Sequence, residues 1–343
     1  MLYRGFSTQE ELDEQYNLRE SVPDFPAYQR FYKEQSQMAR EQLDCQLDVP
    51  FGPTLDERLD IFPAARSGAP ILIFIHGGYW HTFSSKDFSF VASGPVSAGV
   101  TTVVINYALC PKVTIEEIVR QSRAAVAWLY NNAEAFGGDR TRIYVSGHSA
   151  GGHLTAMLTL TDWEGDYGLP ADIIKGGCPI SGLFDLRPFP YTYLQPKLQL
   201  TWGEVLRNSP ILRVPDEAPA LLVSYGGEET PELRRQSDDF LEAWRSSGLR
   251  GEHLPQPGKD HFSAIDGFLD VSSPLCAAIL EQMDVVRERA ISRELTGARV
   301  SEYPSICIGI QQLGNTTCAL FVNPSSPSLR PSIRPGLLSL TAL

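Results

Sequence analysis

At 343 residues, with 43% hydrophobic and 20% charged side chains, the chain has the make-up of an ordinary globular protein with a substantial core, in one large domain or two smaller ones. Its net charge of −12 argues against nucleic acid and anionic membrane surfaces as partners, since both would repel it. Six scattered cysteines with no CxxC pair do not suggest a disulfide framework or a zinc site, and are expected as buried free thiols in a reducing compartment.

The N-terminal stretch MLYRGFSTQEELDEQ is acidic and polar, where a secretory signal would be basic and then apolar. No apolar run approaches the roughly 20 residues that span a bilayer. A cytoplasmic location is therefore expected. Residues 1–50 are polar, with helices expected near 8–16 and 27–43. From 51 to 295 apolar runs alternate with amphipathic segments, the pattern of an α/β fold. Residues 71–75 (ILIFI) read as a buried strand leading into HGGYW, and 100–105 as a second strand rich in β-branched residues. Thr114 and Glu117 fit a capping box, after which Ile115, Ile118, Val119, Ala125, Val126 and Leu129 recur at helical spacing until Gly137 and Gly138 end the run.

A third strand at 142–146 runs straight into GHSAG, with helix expected over 154–160. Further strands are expected at 173–180, 218–225 and, shorter, 251–254, with helices at 231–246 and 274–295. This alternation implies a mostly parallel sheet covered on both faces. Between 183 and 213 periodicity is lost and Pro and aromatic residues gather, among them Phe189, Tyr191, Tyr193 and Trp202. That stretch is expected to form a small cap over the active site together with residues 1–50. Residues 296–343 are Ser- and Pro-rich and read as a disordered tail. A read-through or altered-frame end would have the same composition.

Gly147-His148-Ser149-Ala150-Gly151 matches G-x-S-x-G, which carries meaning only between a strand and a helix, as here. The turn is so sharp that the serine is strained and its Oγ projects from the sheet, while the flanking glycines avoid collision with neighbouring backbone. Taken alone, the pentapeptide could be a merely structural turn. His76-Gly77-Gly78-Tyr79-Trp80 changes that balance, because it follows the first strong strand, where α/β-hydrolases carry an oxyanion loop. The amides of Gly77, Gly78, Tyr79 and Ala150 are the candidate donors to an acyl-transfer oxyanion, each such donor being worth ~2.7–4 kcal/mol of barrier. His76 is expected to brace the loop.

A serine hydroxyl needs a base. Of six histidines, His76 and His81 belong to the oxyanion loop, His148 and His153 flank the serine, and His253 falls inside a strand. His261, on a loop after the last strand, meets the chain order Ser, acid, His. The acid should follow the strand at 218–225. Glu229 is preferred, then Glu228, then Asp238, while Asp260 adjoins His261 and is expected to point elsewhere. Tyr79, Trp80 and His148 are the candidate substrate contacts, the two aromatics forming a wall for an aryl group or, equally, packing the loop on the core.

With these pieces placed, residues 3–285 resemble the arylformamidase (kynurenine formamidase) branch of the α/β-hydrolases. The resemblance rests on His76-Gly-Gly-Tyr-Trp80, Asn106-Tyr-Ala-Leu, Gly147-His-Ser-Ala-Gly-Gly-His153, Glu229-Thr-Pro-Glu-Leu-Arg-Arg-Gln-Ser237 and Asp260-His-Phe262. It implies metal-free, cofactor-free hydrolysis of N-formylkynurenine, with Ser149 as nucleophile, His261 as base and the 229 position as acid. The chain departs from the animal pattern there, carrying Glu in place of Asp. Relatives of this architecture also include carboxylesterases and anilide amidases. The expectation is a small aryl amide, formamide or ester cleaved through an acyl-enzyme, with no nucleic acid or membrane partner; a homodimer is compatible with it. A non-catalytic binder on the same scaffold is disfavoured by the intact Ser149, His261 and carboxylate loop.

Overall fold

The computed structural model describes residues 1–285. Two helices open the chain, α1 (Gln9–Tyr16) and α2 (Phe25–Gln42). The first begins with a complete capping box, in which Thr8 accepts from the Glu11 amide and Glu11 reaches back to the Thr8 amide. The second has Asp24 as its cap and Pro26 in its first turn, where no intrahelical N–H is lost.

A single eight-stranded sheet follows, made of β1 (Gln46–Pro50), β2 (Arg58–Phe62), β3 (Ala69–Ile75), β4 (Thr101–Ile105), β5 (Gly138–His148), β6 (Ile174–Ile180), β7 (Ala220–Gly226) and β8 (Gly251–Gln256). Its order is β1-β2-β4-β3-β5-β6-β7-β8. β1 and β2 pair antiparallel with their neighbours, and β3 through β8 are mutually parallel. All seven residues of β3 are buried, as a strand covered on both faces requires. The other helices are α3 (Ser93–Ser97), α4 (Ile115–Asn132), α5 (Ala150–Thr159), α6 (Trp163–Tyr167), α7 (Gln195–Leu198), α8 (Trp202–Arg207), α9 (Pro231–Ser246) and α10 (Pro274–Gln282). No single helix among the described residues is long and apolar enough to cross a membrane.

β1 and β2 were not foreseen. At α4 only half of the expected capping box forms. Thr114 caps the Glu117 amide, but the Glu117 carboxylate is drawn to Arg120 and Gln121 instead. Cys110, Cys178 and Cys276 are buried free thiols, while Cys45 is only half-buried. The helix expected over 274–295 stops at Gln282, and Asp284 just beyond it turns to φ 57°. The residues past 285, the tail at 296–343 among them with two of the cysteines, lie outside the described residues.

This topology decides where a site can form. From β3 the chain crosses to β4 on one side and then returns to β5 on the other, so the strand order reverses between β3 and β5. Crevices open at such a reversal, outside the carboxyl ends of the strands. His76 to Trp80 leave β3 at that end, Ser149 leaves β5, Ser181 leaves β6 and Glu229 follows β7.

Candidate active site

The turn from β5 into α5 holds Ser149 at φ 58°, ψ −117°, a left-handed conformation that a residue with a Cβ adopts only under constraint. Two glycines make the turn fit. A Cβ at Gly147 would lie 2.3 Å from the Gly151 carbonyl oxygen, and one at Gly151 only 1.9 Å from that of Ile75, so α5 can start hard against β3 only without side chains there. The Ser149 amide is tied to the Ile180 carbonyl at 2.9 Å.

His261 and Glu229 meet as the chain order requires. His261 Nδ1 lies 2.9 Å from Glu229 Oε2, and both side chains are almost completely buried. A carboxylate only accepts, so Nδ1 carries the proton and Nε2 is left as an acceptor. The other oxygen, Glu229 Oε1, accepts from the Ser181 hydroxyl at 2.5 Å and the Gly226 amide at 2.7 Å. The extra methylene of Glu relative to Asp is thereby accommodated: the side chain folds back on its own turn and one oxygen reaches forward. Ser181 went unnoticed in the sequence. Its position just past the carboxyl end of β6, at φ 52°, was the available signal.

Glu228 does not share this place. Its side chain is exposed and its amide bonds the Lys259 carbonyl, so the alternative acid is set aside on geometry. Asp238 accepts from Tyr225, and Asp260 Oδ1 accepts the amides of Phe262 and Ser263, both away from the His261 ring.

The loop after β3 is held from behind. His76 Nδ1 donates to the Gly77 carbonyl at 2.8 Å, and the ring stacks on Tyr107 at 4.1 Å and 7°. The Tyr107 hydroxyl donates to the His76 carbonyl at 2.8 Å. In a planar trans peptide the N–H points opposite to the C=O. With the Gly77 carbonyl turned toward His76, the Gly78 amide faces the other way. The amides of Gly78 and Tyr79 have no acceptor among the described residues, and that of Ala150 is a first-turn helix N–H. Gly78 sits at φ 107°, where a Cβ would come 2.3 Å from the Thr82 carbonyl oxygen. Tyr79 and Trp80 follow at φ 48° and 58°.

Ser149, His261, His148, Gly77, Gly78 and Tyr79 all line one cavity of about 200 Å³. Asn17 and Arg19, just after α1, and Phe25 and Tyr32 of α2 also border it. Trp80 is not part of it. Expected as a substrate contact, it is fully buried, donates to His153 Nδ1 and packs edge-on against His153 and Phe189. Its backbone at positive φ swings the indole inward, so it fixes the loop to α5. Ala150 is likewise fully buried and offers the site only its amide.

Three further histidines are held neutral. Burial pushes His76 and His153 down to about 4. Burial first, and then the nearby His261 ring, pushes His148 well below its ordinary value. His148 Nε2 donates to the His261 carbonyl at 2.7 Å, so it supports the backbone of the candidate base and carries no charge there. His253 stacks on Tyr225 from the exposed side of β8, far from this role.

Comparison with known proteins shows which family the chain resembles. Residues 59–171 match the family model described as BD-FAE. The chain is 34% identical to a kynurenine formamidase of Salmo salar over 259 residues, 73% of this chain and 86% of that one. It is 28% identical to Esterase LipQ of Mycobacterium tuberculosis, over 59% of this chain and 53% of the relative. A crystal structure from Silicibacter, described as that of a proposed thioesterase, superposes with a TM-score of 0.68 at 30% identity, covering 78% of this chain and 98% of that one. The chain belongs to the kynurenine formamidase family of the α/β-hydrolase fold and is a serine hydrolase of amide or ester bonds.

Proposed function

We propose that the protein hydrolyses a small N-aryl formamide, of the N-formylkynurenine kind, or an aryl ester, through an acyl-enzyme on Ser149. The observation that carries this reading is the His261–Glu229 contact at 2.9 Å, with His261 and Ser149 facing one cavity that the unpaired Gly78 and Tyr79 amides also border. Ser149 Oγ attacks the acyl carbon while His261 Nε2 takes its proton. The negative charge that gathers on the former carbonyl oxygen falls to the amides of Gly78, Tyr79 and Ala150. As the C–N or C–O bond breaks, His261 returns the proton to the leaving amine or alkoxide. A water molecule, deprotonated by the same imidazole, then releases the acid and restores Ser149.

The cavity favours a compact aromatic substrate. A pocket of ~150 Å³ admits a benzene ring, so about 200 Å³ suits an aryl ring with a one- or two-carbon acyl group. Arg19 is the one side chain with a fixed charge on its wall among the described residues. Its guanidinium lies 5.1 Å from the Phe25 ring centroid. A carboxylate on the substrate, as in N-formylkynurenine, is the natural counter-charge.

The test is a panel of N-formylkynurenine, formanilide and p-nitrophenyl acetate with purified protein. Turnover of both formamides, with the highest kcat/KM for the carboxylate-bearing one, is expected. Efficient ester cleavage with no formamide turnover would make the protein a short-chain carboxylesterase instead.

A further inference from the structure

Tyr28 and Tyr32 stand four residues apart, on one face of α2. Their hydroxyls reach the chain on either side of His261, more than 200 residues away in sequence. Tyr28 donates to Asp260 Oδ2 at 2.5 Å, and Tyr32 donates to the Phe262 carbonyl at 2.6 Å. The Asp260 carboxylate is itself the hub of the turn that presents the imidazole. Its Oδ1 accepts the Phe262 amide at 2.9 Å, the Ser263 amide at 2.8 Å and the Ser263 hydroxyl at 3.0 Å.

Between these two anchors, His148 donates to the carbonyl of His261 itself at 2.7 Å. Three consecutive residues are thus each held by a different side chain: Asp260 by Tyr28, His261 by His148, Phe262 by Tyr32. The rings reinforce the bonds, with Phe25 and Tyr28 packed on Phe262 at centroid distances of 4.9 and 5.3 Å. Both phenols remain donors throughout the neutral range. Burial, then Asp260, raises Tyr28 to about 12, and burial, then Asp266 and Asp260, raises Tyr32 well above its ordinary value. Asp260 stays ionised, since the bonds from Ser263, Tyr28 and Phe262 outweigh the burial that opposes them.

We propose that Tyr28 and Tyr32 are positioning residues for the general base, locking the 260–262 turn so that the imidazole meets Glu229 and Ser149 together. The N-terminal segment is then a working part of the catalytic centre as well as a wall of the cavity. Neither hydroxyl is needed to hold α2 in place alone, because the face that carries them is also packed through Ser36 and Ala39. What the hydroxyls add is direction: each bonds one specified atom of the turn. This inference rests on the reading of His261 as base.

The experiment compares Tyr28→Phe, Tyr32→Phe and the double variant in the full chain, each keeping its ring, with His261→Ala beside them. kcat and KM are measured on p-nitrophenyl acetate, together with the melting curve. A displaced catalytic group costs up to roughly 100-fold in rate, so the double variant is expected to lose about 10- to 100-fold in kcat with KM nearly unchanged. Tyr28 is half-buried, so its Phe variant seals no cavity and carries the test if the Tyr32 variant fails to fold. Wild-type kcat in folded Tyr28→Phe and in the folded double variant would overturn the inference while leaving the base assignment intact. Wild-type activity in His261→Ala would overturn that assignment, and this inference with it.

Discussion

Ser149→Ala is expected to lower kcat on p-nitrophenyl acetate by about 10⁶-fold, the scale on which loss of a serine nucleophile acts where nucleophile and base work as a unit. The residual rate belongs to the oxyanion amides and the cavity, which the substitution leaves untouched. Stability should not fall, because the Ser149 side chain is held by the turn and contributes little packing of its own. Ser149→Gly separates chemistry from strain. It is equally inactive, yet it relieves a Cβ held at φ 58°, a conformation that costs about 1–3 kcal/mol, against a glycine entropy penalty of about 0.5–1 kcal/mol. Its melting temperature should equal or exceed that of Ser149→Ala. Residual activity above one per cent in Ser149→Ala, with the chain folded, would remove Ser149 from the mechanism.

Glu229→Gln is expected to cost about 10⁴-fold in kcat, and the direction follows from its surroundings. The Ser181 hydroxyl and the Gly226 amide both donate to Oε1, so a glutamine must turn its only oxygen toward them. Its NH₂ then faces His261 Nδ1 and can only donate. The ring is forced to accept at Nδ1 and to carry its proton on Nε2, where it can no longer take one from Ser149. Glu228→Gln, at an exposed neighbour, should leave kcat and KM as they are. Parallel pH–rate profiles check the assignment: equal losses from the two substitutions would contradict it.

The parts of this site that sequence reveals are those fixed by local steric demand. A serine forced to positive φ needs glycines beside it, and a loop that turns its amides outward needs them too, so GHSAG and HGGYW are written in the chain. The fully buried strands β3 and β4 were legible for a similar reason, since continuous apolar and β-branched runs leave few other folds. The helix after Ser149 begins four residues earlier than its apolar run indicates. Gly151 and Gly152 are poor helix formers, and their place in α5 comes from close contact with β3 and with Gly182. β1 and β2 were missed because each is only five residues long and carries an Asp at its centre, with Pro50 closing β1, which leaves too short an alternation to read.

Contacts across long separations were the least legible. One hydroxyl on Ser181 decides how Glu229 is held, and two on α2 decide how the turn at 260–262 is held, yet none has a pattern of its own. The choice between Glu228 and Glu229 stayed open for that reason. It rests on which carboxylate the backbone turns inward, and the turn is set by Gly226, whose missing Cβ lets it lie against the Lys259 carbonyl. Trp80 misled in the opposite way. An aromatic beside an oxyanion loop fits a substrate wall and core packing equally well in sequence, and positive φ at two successive residues sends this one into the core.

Everything chemical in this account requires that the imidazole at 261 activates the alcohol at 149. The most direct measurement is mass analysis of the intact and digested protein after brief exposure to a fluorophosphonate, for the native chain and for His261→Ala. One adduct is predicted, on the peptide carrying Ser149, forming rapidly in the native chain and barely at all without the imidazole. A folded protein that takes no adduct, takes it on another serine, or labels as fast without His261 would contradict the account.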